Sequence, residues 1–245
     1  MAQNLQFMML QEKKFPKIVA ILTGKGGSKF KDKNIIEING KPLLGYPCLE
    51  AKKVGLIQNF FVSSEDKKIL KNANKYGFFS IKRPKSLSRN NTLHRDVLLH
   101  ALNYLKQRNQ SPEIVVVLLA NSATIKASWI SKSIKLLISN KKATACVPVI
   151  ENNDHHPFRA KKIEKKNFLK SFFNFKKEIS SNRQDLEKNY FLCHNFWTIR
   201  TKSIFRNNGE APWKFMGNFV LPLKIDDSID IHDEKDILLT KHWLK

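Results

Sequence analysis

A short segment rich in glycine and lysine is the part of the sequence best suited to chemistry. It reads Gly-Lys-Gly-Gly-Ser-Lys from Gly24 to Lys29 and follows an apolar run that ends at Thr23. Glycines let backbone N–H groups approach phosphate oxygens, and the lysines supply positive charge. The spacing is neither that of a Walker A loop nor GxGxxG. We predict a phosphate-binding loop, and an ordinary glycine-rich turn with solvated lysines is the alternative.

A second polar segment follows a few residues later. Lys33 and Asn34 add a charge and an amide that can read the edge of a base, provided that the chain brings them near the loop. Asn39-Gly40 is a turn signal. Pro42 suits the first turn of a helix, so we predict that a helix begins there.

The elements that must position these groups alternate between strand and helix patterns. Apolar runs predict strands at residues 17–22, 59–64, 78–82, 113–119 and 143–149, and helical spacing predicts helices at 65–76, 92–107 and 128–139. Such alternation implies right-handed βαβ units and a mostly parallel sheet. We predict a three-layer α/β/α fold whose ligand site lies at the carboxyl edge of the sheet.

The domain organisation follows from where this alternation stops. We interpret residues 1–15 as a loosely ordered tail and 16–245 as a single domain with an inserted lid or dimerisation segment around 151–190. The insert is polar and aromatic, and its phenylalanines favour an apolar face or lid, with base stacking as the alternative. Strands at 191–199 and 218–223 and a helix at 233–244 complete the domain, and Asp233 is a candidate N-cap.

The formal net charge of +23 raises the hypothesis of nucleic-acid binding. However, lysine far exceeds arginine, the lysines are spread along the chain, and base readout favours the arginine fork. We therefore expect no specific nucleic-acid partner, and a basic RNA-binding protein is the alternative. No apolar run is long enough for a membrane span, so we expect no membrane insertion. Three separated cysteines fit a reducing cytoplasm.

The motifs, taken in order, resemble the acylneuraminate (sialic-acid-type) cytidylyltransferase family. That family opens approximately with A-R-x-G-S-K, then K-N, then N-G-K-P-L, and Ile18 to Leu44 follows the same order. The similarity continues through Phe61-Val-Ser-Ser, Arg83-Pro84, His100-Ala-Leu, His155-His156-Pro157, Arg183-Gln184 and Ser228 to Asp236. It covers most of residues 17–244.

The resemblance implies a Rossmann-like nucleotidyltransferase fold, like that of the nucleotide-diphospho-sugar transferases. It implies an enzyme that activates an acidic, nonulosonic (sialic-acid-like) sugar with CTP and gives a CMP-sugar and pyrophosphate. A divalent metal, Mg²⁺ or Mn²⁺, and a homodimer belong to the same expectation. The setting would be the modification of surface polysaccharide or glycoprotein.

The resemblance also implies site residues in three groups. The nucleotide site comprises Gly24, Lys25, Gly26, Gly27, Ser28, Lys29, Lys33, Asn34, Arg83, Asn121 and Ser122. The sugar site comprises His155, His156 and Gln184, although the two histidines also suit a polar surface loop or a metal site with Asp154. The metal ligand is Asp230, with His232 beside it. Lys25, Lys33 and Asp230 form the catalytic set, because phosphoryl-type transfer needs positioning and charge neutralisation.

Three departures from the family pattern leave alternatives open. Lys25 stands where the family has arginine and lacks the bidentate fork. Asn121 or Ser122 must replace a base-reading glutamine. His232 replaces the second aspartate of a D-x-D pair, and imidazole suits softer metals than Mg²⁺. The alternatives are a nucleotidyltransferase with another nucleotide or sugar and a catalytically inactive relative that binds nucleotide or sugar.

Overall fold

The computed structural model describes residues 15–27, 30, 32–165 and 167–245. Apart from Phe15, the tail predicted at 1–15 lies outside the described residues. Ser28 and Lys29 of the glycine-rich segment also lie outside them.

A mixed eight-stranded sheet forms the centre of the molecule. Its strands are β1 (Ile18–Thr23), β4 (Asn59–Ser64), β5 (Phe79–Lys82), β6 (Ile114–Leu119), β7 (Ala145–Glu151), β10 (Tyr190–Leu192), β11 (Phe196–Arg200) and β12 (Val220–Lys224). The order is β10-β7-β11-β6-β1-β4-β5, and β12 also pairs with β7. Strands β1, β4, β5 and β6 run parallel, as do β7 and β12, whereas β10 and β11 run antiparallel to β7. The predicted mostly parallel sheet is therefore confirmed.

Both faces of the sheet are covered, because alternate residues of its central strands point into two separate cores. In β1, Ile18, Ala20 and Leu22 belong to one apolar cluster, and Val19 and Ile21 belong to the other. Helices α1 (Gly45–Lys52), α2 (Lys67–Asn74) and α4 (Ala127–Ser139) contribute to the first cluster. Helices α3 (His94–Lys106) and α5 (Thr201–Arg206) contribute to the second. This arrangement confirms the three-layer α/β/α prediction.

The helix predicted to begin at Pro42 begins instead at Gly45. Pro42 lies in β3 (Lys41–Pro42), which pairs antiparallel with β2 (Glu37–Ile38). Asn39 and Gly40 connect the two strands with positive φ angles of 48° and 75°, the backbone conformation of a tight hairpin turn. The turn signal thus prevailed over the helix-start signal of the proline.

The last helix, α6 (Glu234–Trp243), begins where the sequence indicated. The Asp233 side chain accepts hydrogen bonds from the N–H groups of Lys235 and Asp236, and the Asp236 side chain accepts from the Asp233 N–H. This reciprocal capping satisfies backbone donors that the first turn of a helix leaves unpaired. Asp233 therefore has a structural role, which leaves Asp230 as a separate group.

Residues 152–189, here called the arm, leave the sheet after β7 and return at β10. They contain the small hairpin of β8 (Lys161–Ile163) and β9 (Leu169–Ser171). Many of the arm's large apolar side chains are exposed, including Phe158, Ile163, Phe168, Leu169, Phe172 and Phe173. The arm coincides with the predicted insert, but its function as a lid or dimer contact stays a prediction. Within the described part of the chain, no helix is long and apolar enough to cross a bilayer.

Candidate functional site

A cavity of about 280 Å³ opens at the carboxyl edge of the parallel strands. Because β1, β5 and β6 all end at this edge, residues that are far apart in the sequence meet there. Of the predicted nucleotide-site residues, the cavity is lined by Gly24, Lys25, Lys33, Asn34, Arg83 and Asn121. These six come from four separate segments of the chain, as expected for ligand sites in open α/β sheets.

The glycine-rich loop is held in place by hydrogen bonds that its backbone N–H groups donate to neighbouring segments. The Gly24 N–H donates to the Ser63 carbonyl at 3.4 Å, and the Gly26 N–H donates to Glu65 Oε1 at 2.8 Å. A Cβ atom on Gly26 would lie 2.4 Å from Asp66 Oδ2, so any other residue would displace the Asp66 side chain that caps α2. Gly27 has a φ of +65°, which favours glycine for a conformational reason.

Two polar side chains border the loop on its open side. The Asn34 side-chain amide donates to the Lys25 carbonyl at 2.9 Å, so this asparagine braces the loop. The Lys25 ammonium donates to Asn90 Oδ1 at 2.8 Å across the cavity mouth. Asn90 was not among the predicted residues. An anion bound in the cavity could therefore replace the Asn90 amide as the partner of the Lys25 ammonium and form a stronger, charge-assisted hydrogen bond.

Arg83 lies at the end of β5 and is almost fully buried. Its guanidinium donates to the Gly24 carbonyl at 2.7 Å, to Glu65 Oε2 at 2.8 Å and to Ser88 Oγ at 3.1 Å. Burial alone would raise the pKa of the Glu65 carboxyl, but hydrogen bonds from Ser88 and Arg83 and the Arg83 charge hold it below its usual value. Sequence reasoning missed Glu65, although it directly follows a predicted strand.

His94 is a second cavity residue that sequence reasoning missed. It opens α3, its Nε2 is hydrogen-bonded to Thr23 Oγ1 at 3.2 Å, and its ring packs edge-on against Trp197. Burial, together with the positive charge of Arg83 and the neighbouring His194, lowers the pKa of His94 to about 4. The ring is therefore neutral at physiological pH and can exchange hydrogen bonds without adding charge. Its position after an exposed loop carried no motif that could have identified it.

Asp230 is held next to the end of β6. Asn121 donates from its side-chain amide to Asp230 Oδ1, and the Ile231 N–H donates to the Asn121 carbonyl at 3.1 Å. Burial raises the pKa of Asp230, and the nearby His232, Lys33 and His194 side chains oppose that rise. Asn121 therefore lines the cavity but uses its amide to orient Asp230. Ser122 is fully buried and donates to the Ile229 carbonyl at 2.9 Å, so it anchors the same segment.

The donor atoms around Asp230 set limits on a metal site. Asp230 Oδ2 and His232 Nε2 lie 3.4 Å apart, so one cation with bonds of about 2.1 Å can contact both. Among the described residues, no group of three or more His, Cys, Asp or Glu side chains could hold a metal ion. The pair fits a cation that takes its other ligands from substrate phosphates and water. Its nitrogen donor favours first-row transition metals over Mg²⁺.

The three predicted sugar residues lie on the arm and do not line the cavity. His155 is exposed and bonds to Asn152. His156 is buried, its Nδ1 accepts from the Phe158 N–H at 3.1 Å, and it caps a short 3-10 turn. Gln184 is exposed in another 3-10 turn. The structure therefore separates these residues from the nucleotide group within one chain.

Comparisons with known proteins bear on the family and the fold of the chain. A family model described as Cytidylyltransferase matches residues 19–210. Pseudaminic acid cytidylyltransferase of Campylobacter jejuni subsp. jejuni serotype O:2 is 31% identical over 127 residues, which are 51% of this chain and 55% of that protein. The chain thus spans about half the length of that relative.

A Helicobacter pylori protein is 28% identical over 179 residues, covering 70% of this chain and 32% of that protein. It is named pseudaminic acid cytidylyltransferase and UDP-2,4-diacetamido-2,4,6-trideoxy-beta-L-altropyranose hydrolase.

Solved structures share the fold at low sequence identity. A CMP:2-keto-3-deoxy-manno-octonic acid synthetase complexed with CTP superposes with a TM-score of 0.70 at 11% identity, covering 93% of this chain and 98% of that chain. A 4-diphosphocytidyl-2C-methyl-D-erythritol synthase from Anaerococcus prevotii gives a TM-score of 0.64 at 17% identity, covering 94% and 98%. These likenesses confirm the predicted nucleotidyltransferase fold.

Proposed function

The chain belongs to the cytidylyltransferase family, and we propose that it transfers the cytidylyl group of CTP to an acidic, nonulosonic-type sugar and releases pyrophosphate. The observation that carries the proposal is the meeting of Lys25, Lys33 and the Asn121–Asp230 pair at one edge of the sheet. A triphosphate needs dispersed positive charge, and the transfer needs little covalent chemistry from the protein.

The residues of the cavity have different roles in the proposed reaction. Lys25 and Lys33 neutralise the triphosphate and hold its α-phosphorus for in-line attack by a sugar hydroxyl. The glycine-rich loop, with Gly24, Gly26 and Gly27, lets the chain approach the phosphates closely, and Ser28 and Lys29, the next residues in the sequence, belong to the same proposed nucleotide site. Asn34 and Arg83 hold the nucleotide end of the cavity in shape through their bonds to the loop.

Asp230 and His232 are the residues that would hold a divalent metal, either Mg²⁺ or Mn²⁺. Such a cation supplies positive charge to the phosphate oxygens as charge builds up on them. Asn121 fixes the Asp230 carboxylate by donating to one of its oxygens, which leaves the other oxygen facing His232. The mixed oxygen and nitrogen donors favour Mn²⁺ over Mg²⁺.

We propose a homodimer in which the arm makes the contact between subunits. Exposed aromatic side chains are enriched at such interfaces, and the arm carries several. Since His155, His156 and Gln184 lie outside the cavity of their own chain, the arm of a second copy is a route by which they could reach a sugar. Names of relatives support the acidic sugar, since two of them are pseudaminic acid cytidylyltransferases. The three cysteines are free thiols, which fits a reducing cytoplasm, so we place the reaction there.

The proposal is tested by pyrophosphate release with each of the four ribonucleoside triphosphates against a panel of sugars, with Mg²⁺ and with Mn²⁺. We expect release that requires CTP and one nonulosonic acid. Release with another nucleotide would contradict the base assignment and keep the reaction type. Binding of CTP by calorimetry without release with any sugar would instead support a binding-only relative.

A further inference from the structure

We propose that Glu65 is a positioning residue that fixes the glycine-rich loop and Arg83 relative to each other, and thereby sets the geometry of the nucleotide end of the cavity. This inference rests on the proposed function, because it takes a nucleoside triphosphate as the ligand. It assigns a role to a side chain that no phosphate-loop or base-reading motif contains.

The Glu65 carboxylate joins three segments of the chain. Its Oε1 accepts from the Gly26 N–H at 2.8 Å. Its Oε2 accepts from Arg83 Nη2 at 2.8 Å and from Ser88 Oγ at 2.6 Å. Gly26 follows β1, Arg83 follows β5, and Ser88 lies in the 3-10 turn after β5. Glu65 itself follows β4. One side chain thus connects three neighbouring strand ends at the edge where the cavity opens.

Each of the bonded groups is part of the cavity or adjoins it. Arg83 and Ser88 line the cavity, and Gly26 follows two residues that line it. Arg83 also donates to the Gly24 carbonyl, so the Glu65–Arg83 pair holds the loop at two points. Because Nε and Nη2 of Arg83 are both bonded, the plane of its guanidinium is fixed.

The charges explain why a carboxylate is needed at this position. The side chains of Arg83 and Glu65 are only 4% and 14% exposed, so each charge depends on the other for compensation. With Arg83 neutralised by Glu65, the described cavity-lining cations that remain for the triphosphate are Lys25, Lys33 and Arg89. Because Glu65 pairs with Arg83, this arginine has a structural role, and the other cations are left to bind the phosphates.

The alternative is that Glu65 only stabilises the fold. A merely structural role predicts a lower unfolding midpoint with normal nucleotide affinity and a normal loop in the folded protein. A positioning role predicts a displaced loop and weaker binding in protein that is still folded.

The test compares Glu65→Gln and Glu65→Asp with the matched control Glu50→Gln in the full chain. Glu50 also accepts a backbone N–H bond, from Ala127 at 2.7 Å, but lies away from the cavity. The readouts are the calorimetric affinity for each of the four ribonucleoside triphosphates and the amide exchange of peptides that cover residues 24–27 and 83–88. Circular dichroism confirms folding.

We expect Glu65→Gln to weaken CTP binding about tenfold and to speed exchange of both peptides about tenfold, because the amide presents an N–H₂ group to Arg83. Glu65→Asp, which keeps the charge but is one methylene shorter, should lie between. Glu50→Gln should change neither readout by more than about twofold.

Folded Glu65→Gln protein with both peptides exchanging as in the wild type would overturn the proposal. Equal losses in Glu65→Gln and Glu50→Gln would also overturn it. If the wild type binds none of the four triphosphates, the proposed function is wrong. The exchange of the two peptides then still decides whether Glu65 positions the loop.

Discussion

The cavity and the arm each contain an arginine–carboxylate pair, and the two pairs differ in burial and not in distance. Arg83 and Glu65 are 2.8 Å apart with side chains 4% and 14% exposed. Arg183 and Asp154 are 2.7 Å apart, but their side chains are 53% and 66% exposed. Water competes for the exposed pair and screens it, so it contributes little to stability. The buried pair cannot lose one partner without leaving an uncompensated charge.

The same contrast holds for apolar groups. Around the cavity the apolar side chains are packed into the two cores, and the Trp197 ring packs edge-on against His94. On the arm, phenylalanines contact one another in pairs such as Phe158–Phe175 and Phe172–Phe173, and they stay largely in water. We infer that the cavity is organised before substrate binds, whereas the exposed apolar groups of the arm are those of the proposed dimer contact.

The largest effect that we expect is for Asp230→Asn. Losing the carboxylate removes the charge that would hold a cation against the phosphates, and turnover should fall about 100-fold. Pyrophosphate release at limiting metal measures this. Asp227→Asn, an exposed change on the same segment, is the control and should be nearly silent. Wild-type turnover in Asp230→Asn at limiting metal would exclude Asp230 as a ligand.

Lys25→Ala should come next. The ammonium reaches across the cavity mouth, so its loss should raise the KM for CTP about tenfold, which corresponds to about 1.4 kcal/mol. Lys71→Ala, an exposed change on α2, tests whether the general positive field is responsible instead. If both variants raise the KM equally, the phosphate-loop assignment of Lys25 is wrong.

Sequence reasoning was most successful where neighbouring strands end. An apolar run followed by glycine and lysine marked Lys25 at such an end, and the family resemblance placed Arg83 and Asn121 in the same site. Parallel strands bring their ends to one edge, and all three residues line the cavity there. It missed Glu65 and His94 because their importance depends on what they touch. No spacing rule indicates that a carboxylate after β4 meets an arginine after β5.

The arm shows a different limit. His155, His156 and Gln184 were assigned to a sugar site by resemblance, and their contacts to any sugar stay a prediction. These residues lie on an exposed segment outside the cavity, so the contacts within this chain do not show what they bind. Neighbouring residues also limit what a single residue predicts. Pro42 suggested the start of a helix, but the turn at Asn39-Gly40 places it in a strand.

His232→Asp sharpens the description of the cavity and should have a smaller effect. Replacing the imidazole nitrogen by oxygen should favour Mg²⁺, so the ratio of turnover with Mg²⁺ to turnover with Mn²⁺ should rise about fivefold. Electron paramagnetic resonance of bound Mn²⁺ gives a readout that does not depend on turnover. An unchanged ratio and unchanged Mn²⁺ affinity would mean that the His232 ring does not contact the metal.

The smallest effect on folding should come from the arm, in the double variant Phe168→Ser with Leu169→Ser. These side chains are 66% and 69% exposed, so the free energy of unfolding should change by less than about 0.5 kcal/mol. Self-association, measured by sedimentation velocity, should nevertheless be lost. Leu238→Ser removes a similarly exposed leucine from α6 and should leave association intact.

Three results would contradict this view of the arm. If the double variant lowers the unfolding free energy by about 2 kcal/mol or more, the two side chains pack as core residues do, and the contrast between arm and cavity fails. If the wild type is monomeric at every concentration, the arm is not the dimer contact, and a second copy does not bring His155, His156 and Gln184 to the sugar. Intact association in the double variant would place the interface on another surface, because the exposed side chains of Phe168 and Leu169 would then not be needed for it.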